Sequence, residues 1–379
     1  MKTAVHADSS HDSVLTDKAV RHKNIDIARS VALFSVVVYH IWVLTGSAEI
    51  SNPVLSAFIW LGGEIGVTLF FVLSGYGIFC SLDRRQKKGP VRFLPFMKRR
   101  LIRILPEYDL SLFVLVFFSP QATCLSAAGW KHVFLHLVFL HNIDSVTASS
   151  INGILWTMAV IVQFYLIAIP MYHLLRKVKY LFPVLFIAIT IGFKFFCFHC
   201  FGTADAFWES RQLLPSVADN FALGMFTAWL LQQRMPELAL RRWFRLVMLA
   251  LSLVLLYLVC RFGLDHSIYS DTLCGYVWHT LLALPICLGL FFYAEGELTR
   301  NHILKRGMLW LSKYEYGIYI VHLVLIVNLL EHSTIINRLA AIPAFKYPCF
   351  LILSVFSGWV LSSCADGIRS HLRLDSRPR

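Results

Sequence analysis

Long apolar runs, recurring from one end of the chain to the other, most constrain what this sequence can fold into. Runs of 18 or more apolar residues are separated by polar loops across 379 residues. Such a run predicts a transmembrane helix, because a helix rises about 1.5 Å per residue and the hydrocarbon core is about 30 Å thick. Only 15% of the residues are charged, against about 25% in soluble domains. The predicted fold class is all-α, a polytopic integral membrane protein in a lipid bilayer.

About ten transmembrane helices are predicted. They cover residues 30–47, 57–81, 101–119, 154–175, 181–200, 217–233, 243–262, 273–294, 308–331 and 346–364. The loop at 120–153 contains a further apolar run, Trp130 to Leu140. That run is too short to span, so it is predicted either to lie at the interface or to re-enter the membrane.

The division of the chain into domains follows from the same pattern. Residues 1–23 are polar, which predicts a disordered head and no signal peptide. Residues 24–366 are predicted to form one transmembrane domain, and residues 367–379 a basic tail.

The positive charge of the chain follows membrane topology. A formal net charge of +13 is compatible with nucleic-acid binding. Lys and Arg, however, cluster in alternate loops, most densely between the second and third spans. The positive-inside rule therefore predicts that both termini are cytoplasmic, and no nucleic-acid partner is expected. The nine cysteines lie mostly within apolar runs, which predicts neither a disulfide framework nor a metal site.

The first predicted span carries an unusual polar stripe. Arg29 and His40 are eleven residues apart, which brings them within about 20° of each other around a helix, and Asp26 lies about 40° from His40. An ionisable side chain within a membrane span is costly and usually faces a cavity or a partner. The stripe fits a catalytic site or a transport site, and a packing histidine with an arginine anchor remains an alternative.

A second polar stripe lies late in the chain. Glu315, Tyr319 and His322 are spaced four and three residues apart, so they share one helix face. A shared central cavity is therefore predicted for the two histidine-bearing spans. Glu64, near the outer end of the second span, is a candidate proton acceptor, although a solvated carboxylate at a helix end is an alternative.

Three arginines stand at the cytoplasmic mouth of the third span. Arg99, Arg100 and Arg103 fall within about one helical turn. Guanidinium groups are suited to bidentate phosphate recognition. Contact with anionic lipid headgroups is the alternative. Pro106 follows shortly, and a kink there would open space beside the arginines.

These motifs, in this order, resemble the acyltransferase family 3 membrane proteins, which O-acylate bacterial surface and secreted glycans. Four elements carry the resemblance. They are Asp26, Arg29 and His40; the run from Gly66 to Tyr76; the run from Phe96 to Tyr108; and Tyr316, Tyr319 and His322.

One departure from the family pattern lies at the start of the fourth span. The family often has Trp-Ser-Leu-x-Val-Glu-x-Gln-Phe-Tyr there. This chain has Trp156 at the first of these positions and Ile161 where the glutamate would be. The role that the acid plays in relatives is therefore lost or moved in this chain.

The resemblance implies a reaction and a set of site residues. An acyl-CoA, most often acetyl-CoA, would be the co-substrate on the cytoplasmic side of a bacterial inner membrane, with no bound cofactor and no metal. A glycan or glycolipid hydroxyl would be the acceptor. By this resemblance, His40 would be the base or the acyl carrier, assisted by Arg29 and Asp26. The CoA phosphates would be bound by Arg99, Arg100 and Arg103, and the passage of the pantetheine arm toward His40 would be lined by Ser74, Gly75 and Tyr76. The acceptor or the cavity would be contacted by Glu64, Glu315, Tyr319, His322 and Trp156.

Two other functions remain open at this stage. A transporter could use the same polar stripes as a pathway, but transporters usually show internal repeats, and none is visible in the sequence. A non-catalytic member of the family is the other alternative, motivated by Ile161 alone.

Overall fold

The computed structural model describes residues 8–118, 129–201, 210–233, 241–268, 272–294, 301–340 and 342–374. Fourteen α-helices form this part of the chain, and it contains no strand. They are α1 (Asp8–Leu44), α2 (Pro53–Trp60), α3 (Gly62–Gln86), α4 (Phe93–Phe118), α5 (Gly129–Leu137), α6 (Ser145–Ala148), α7 (Trp156–Val178), α8 (Leu181–Phe201), α9 (Ala218–Leu230), α10 (Arg242–His266), α11 (Leu273–Ala294), α12 (His302–His332), α13 (Thr334–Ala340) and α14 (Pro343–Leu374).

Eight of these helices are long and apolar enough to cross a membrane. They belong to α1, α3, α7, α8, α10, α11, α12 and α14. The prediction of an all-α, multi-pass membrane protein is confirmed.

The other two predicted spans correspond to helices of a different character. The helix α4 has 26 residues, but its apolar half also contains Arg103, Glu107 and Asp109. The helix α9 has 13 residues, nearly all of them buried. Thirteen residues are too few to span a bilayer, so α9 is an interior helix packed among longer ones.

Two glycines allow α9 to lie directly against α3. A Cβ on Gly75 of α3 would collide with the backbone carbonyl of Phe221, and one on Gly224 of α9 with that of Val72. Small residues permit such close contact between membrane helices, where dispersion and packing drive association. The glycines therefore set the distance between these two helices.

Asp83 joins three elements at the basic end of the bundle. Its carboxylate is buried and accepts hydrogen bonds from Tyr172 (3.2 Å), Arg176 (3.1 Å) and Gln232 (3.2 Å). Lys87 lies 2.9 Å away. A buried carboxylate is tolerated when it is paired and hydrogen-bonded. This one ties α3 to α7 and to the residues that follow α9.

Residues 129–148, which follow α4 in the described part of the chain, contact both α4 and α7. Tyr108 donates its hydroxyl hydrogen to the carbonyl of His136 (3.1 Å). Gln163 donates to the carbonyl of Phe139 (2.9 Å) and to the side-chain oxygen of Asn142 (2.7 Å). Because Gln163 lies two turns inside α7, these contacts favour the re-entrant alternative for this segment.

A pair of stacked histidines lies inside that segment. The rings of His136 and His141 are 3.9 Å apart, nearly parallel and fully buried. Burial lowers the pKa of His136 to about 3 and that of His141 to about 4. Burial thus favours the neutral form of both rings, which removes the charge repulsion that two imidazolium rings would have in this stack.

The two ends of the chain are more helical than predicted. Residues 8–23, within the head predicted to be disordered, belong to α1, and residues 1–7 lie outside the described residues. The helix α14 continues to Leu374, through much of the predicted tail, and residues 375–379 lie outside the described residues. The sidedness of the termini stays a prediction.

Candidate functional site

A cavity of about 370 Å³ lies between α1, α3, α4, α7, α12 and α14. Ligand sites commonly have volumes of roughly 300–1,000 Å³. Arg103 and Asp366 on its rim are exposed, so it opens at the basic end of the bundle, which is predicted to be cytoplasmic. Its charged lining comprises Arg29, Arg100, Arg103, Lys313 and Arg369 together with Glu107, Glu315 and Asp366.

Arg100 is a cation of this lining whose guanidinium includes a buried nitrogen without a partner. Its guanidinium lies over the rings of Phe96 (5.5 Å) and Tyr165 (5.6 Å). Its Nη2 is buried and has no hydrogen-bond partner among the described residues. A buried guanidinium nitrogen without an acceptor is costly. An anion bound in the cavity would supply the missing acceptor.

Arg29, in contrast, already has two carboxylates. Its Nη1 donates to Asp26 (3.2 Å), and its Nε lies 3.7 Å from Glu315. The contact with Glu315 joins α1 to α12, so the two polar stripes of the sequence meet here. Glu315 lines the cavity and Asp26 does not.

Arg369 brings the end of α14 into the same cavity. Its guanidinium pairs with Glu107 of α4 and with Asp366, and it donates to the carbonyl of Arg103 (3.3 Å). Glu107 also accepts a hydrogen bond from Ser362 (2.5 Å). The last turns of α14 are therefore part of the cavity wall.

The inner end of the cavity is closed by Tyr319 and its neighbours. Its hydroxyl lies 3.0 Å from that of Thr157 on α7, and the Phe70 ring meets the Tyr319 ring edge-on at 5.5 Å. Tyr319, Thr157 and Phe70 all line the cavity. On the far side, the Tyr319 ring is 5.7 Å from the ring of His322.

His322 and His40 form a dyad just beyond that closure. His322 Nε2 is 3.1 Å from His40 Nδ1, although the two residues are 282 positions apart. His322 is fully buried, whereas His40 keeps part of its surface accessible. Neither ring lines the cavity itself. The dyad is therefore separated from the cavity by one layer of side chains.

A second group of ionisable side chains, the outer polar cluster, lies on the side of the dyad away from the cavity mouth. Glu64 pairs with Arg211 and lies 3.3 Å from His279 Nε2. Lys194 reaches His279 Nδ1 at 3.4 Å. Near them, Asp219 accepts a hydrogen bond from Thr280 (2.5 Å). The cluster comprises Glu64, Lys194, Arg211, Asp219 and His279.

The outer polar cluster comes close to the dyad through Tyr39. The Tyr39 ring lies 5.1 Å from the ring of His40. It also packs against Gly63, the residue before Glu64. The dyad thus lies between a cationic cavity on one side and a charge-balanced cluster on the other.

Comparison of the sequence with known protein families identifies the family of this chain. The model of a family described as an acyltransferase domain matches residues 22–363. The chain belongs to this acyltransferase family.

Two relatives illustrate the likeness. A peptidoglycan O-acetyltransferase, OatA, of Listeria monocytogenes is 30% identical over 210 residues, which is 51% of this chain and 29% of that protein. An O-acetyltransferase OatA of Staphylococcus aureus strain NCTC 8325 is 29% identical over 161 residues, 38% of this chain and 23% of that protein. The chain spans less than a third of the length of these relatives. No solved structure matches it.

In this member of the family, only some of the predicted donor-binding residues line the cavity. Arg100, Arg103 and Ser74 do, and Arg99 does not. Neither Gly75 nor Tyr76 is in the lining, because successive residues of a helix point about 100° apart. Gly77 and Ile78, one turn after Ser74, take the predicted place on α3.

The predicted acceptor and cavity residues divide into two groups. Glu315 and Tyr319 line the cavity, and His322 lies behind Tyr319. Glu64 belongs instead to the outer polar cluster. Trp156 lies there too, with the Arg211 guanidinium 5.6 Å from its ring.

Ile161 lies in the cavity wall, one helical turn from Tyr165. Because Tyr165 contacts the Arg100 guanidinium, an acid at position 161 would lie near that cation. This chain therefore combines an apolar residue at position 161 with an Arg100 whose Nη2 has no hydrogen-bond partner among the described residues.

Sequence reasoning missed several residues of both sites. Glu107, Lys313 and Arg369 line the cavity, yet Arg369 falls in the predicted basic tail, and neither Glu107 nor Lys313 belongs to a predicted polar stripe. Lys194 and His279 were single polar residues within apolar runs, and only the cost of burying them could have singled them out.

Proposed function

We propose that this acyltransferase is an integral-membrane O-acetyltransferase that transfers acetyl from cytoplasmic acetyl-CoA to a hydroxyl group of a glycan. The observation that carries the proposal is the buried Nη2 of Arg100 without a partner, in a cationic cavity that ends beside a histidine dyad. Anionic donor binding and proton transfer are the two tasks of such a reaction.

The cationic lining supports a CoA donor. Arg100 and Arg103, with Lys313 near the mouth, would contact its phosphate oxygens, since guanidinium groups bind phosphate bidentately. The pantetheine arm would then extend along Ser74 and Gly77 toward Tyr319. This orientation brings the thioester toward the dyad.

The dyad supports proton transfer from the acceptor. A hydroxyl oxygen attacks the thioester carbon, the carbon–sulfur bond breaks, and the proton moves through His40 to the CoA thiolate. Attack by His40 itself, which forms an acyl-histidine first, fits the same residues. Tyr319 and Phe70 must move to let the acyl group reach His40.

The acceptor and the location are proposed on the relatives. A glycan hydroxyl is the proposed acceptor because the Listeria relative is named as a peptidoglycan O-acetyltransferase. The outer polar cluster, with Trp156 beside it, would face that acceptor. The bacterial inner membrane is the proposed location.

The donor site is tested by replacing Arg100 with Gln. We expect the KM for acetyl-CoA to rise about 10- to 100-fold, because one charged hydrogen bond is worth about 1.5–3 kcal/mol. The measurement is release of CoA thiol by purified protein in detergent with a glycan oligosaccharide, with no membrane gradient present.

Arg99→Gln is the matched control, since Arg99 is the neighbouring arginine, is exposed and does not line the cavity. Equal KM values for the Arg100 variant and the wild type would indicate that the arginines contact lipid headgroups and not the donor. Absence of acyl-CoA turnover by the wild type, together with gradient-driven solute movement, would favour a transporter.

A further inference from the structure

The hydrogen bonds of His322 determine which of its nitrogens carries the proton. His322 Nδ1 lies 2.7 Å from the carbonyl oxygen of Tyr319 and 3.3 Å from that of Ile318. A carbonyl oxygen only accepts hydrogen bonds, so Nδ1 must be the N–H donor. In the neutral ring, Nε2 is then a lone-pair acceptor.

That lone pair determines the state of His40. His322 Nε2 lies 3.1 Å from His40 Nδ1, and the carbonyl of Val36 lies 3.0 Å from the same atom. Both neighbours are acceptors, so His40 Nδ1 must carry a hydrogen. The remaining nitrogen of a neutral His40, Nε2, is therefore the one with a free lone pair.

We propose that His322 is a positioning residue that, together with the Val36 carbonyl, holds His40 in the Nδ1–H tautomer, so that His40 Nε2 is the reactive nitrogen of acyl transfer. This inference rests on the proposed function. His40 Nε2 takes the proton of the acceptor hydroxyl as the oxygen–carbon bond forms. It then gives that proton to the thiolate released when the carbon–sulfur bond breaks.

Burial divides the roles within the dyad. His322 has no accessible surface, so it cannot touch a substrate, whereas His40 is partly exposed. The anchors of His322 are backbone carbonyls of its own helix, which hold its ring still. The other titratable groups around the dyad are Tyr39 on α1, Glu64 on α3 and Tyr319 on α12. Glu64 is engaged with Arg211 and His279.

The tautomer is tested directly by nitrogen-15 magnetic resonance of wild-type protein labelled at histidine, with the His40 signals assigned by comparison with His40→Gln. We expect a protonated Nδ1 and an unprotonated Nε2 at His40 near pH 7.5. A protonated Nε2 with a bare Nδ1 would overturn the proposal. This measurement needs no substrate and no folding of a His322 variant.

The catalytic consequence is tested with two substitutions of His322. His322→Leu removes one of the two acceptors of His40 Nδ1, and we expect kcat to fall about 10²- to 10⁴-fold because the ring is then held only by the Val36 carbonyl of its own helix. The KM for acetyl-CoA should stay within about twofold, since the donor cavity is untouched. His322→Gln offers an amide oxygen to His40 Nδ1. We expect its kcat to be at least tenfold higher than that of His322→Leu.

The outcomes separate this inference from the proposed function. A His322→Leu variant with wild-type kcat, or one with the same kcat as His322→Gln, would refute the positioning role. Wild-type protein that transfers no acyl group would refute the proposed function and the catalytic step with it, while the spectrum alone decides the tautomer.

Discussion

Arg100 and Tyr319 mark the two ends of the cavity. Arg100 offers a buried guanidinium nitrogen, Nη2, without a hydrogen-bond partner among the described residues, and Tyr319 closes the opposite end with Thr157 and Phe70. The distance available between these ends sets how much of a donor fits. The acyl group would come to rest against the aromatic rings at the inner end.

Acyl-chain length should therefore depend on Phe70. In Phe70→Ala, we expect the ratio of kcat/KM for butyryl-CoA to that for acetyl-CoA to rise at least tenfold, because each added methylene in a pocket is worth about 1–3 kcal/mol. Initial rates of CoA release with the two donors measure this ratio. Phe113→Ala, on a half-exposed residue outside the cavity, should leave it unchanged. An unaltered ratio in Phe70→Ala would place the acyl group elsewhere.

The short helix α9 matters at the scale of elements. It is buried, too short to span, and held against α3 by the backbone contacts at Gly75 and Gly224. The helix α3 in turn supplies Ser74, Gly77 and Ile78 to the cavity. The glycine contacts thus position one wall of the site from behind.

Adding a methyl group at Gly224 should separate these two helices. We expect Gly224→Ala to lower the free energy of unfolding by about 1–3 kcal/mol, the usual cost of overpacking. Thermal unfolding in detergent, followed with a thiol-reactive dye, measures the change. Gly192→Ala on α8 is the control, because its Cβ would meet no atom within 4 Å and alanine is favoured in helices. Equal midpoints for the two variants would contradict the role of this contact.

The described part of the molecule has a basic end with the cationic cavity and an opposite end with the outer polar cluster. The dyad lies between them, one layer of side chains from the cavity. This arrangement suits transfer between substrates that arrive from opposite sides of the membrane. The property to measure is therefore which end of the protein faces the cytoplasm.

Cysteine labelling tests this sidedness. In a variant in which Cys200 and Cys364, the exposed cysteines of the described residues, and Cys124, which lies outside those residues, are replaced by Ser, we expect a membrane-impermeant maleimide to label Lys88→Cys only in inverted vesicles. Ser51→Cys, in the exposed loop before α2, should react only in right-side-out vesicles. The reason is that Lys88 lies in the most basic loop, which the positive-inside rule keeps cytoplasmic. Labelling of both from one side would refute the proposed orientation.

The sequence by itself determined the class of fold and the residues of each polar stripe. Hydrophobic run length predicts membrane helices because the bilayer sets a minimum length. Helical periodicity places Arg29 with His40, and Glu315 with Tyr319 and His322, because side-chain direction along one helix is a local property. The motifs also carried the resemblance to the acyltransferase family.

Only the tertiary structure decided which stripes meet and which residues face the cavity. The dyad joins His40 to a residue 282 positions later. Glu64 contacts Arg211 and His279 and does not line the cavity. Arg369 enters the cavity from a segment that reads as a tail. Periodicity fixes a face on one helix, but the pairing of faces depends on how all the helices pack together, through contacts between residues that are distant in sequence.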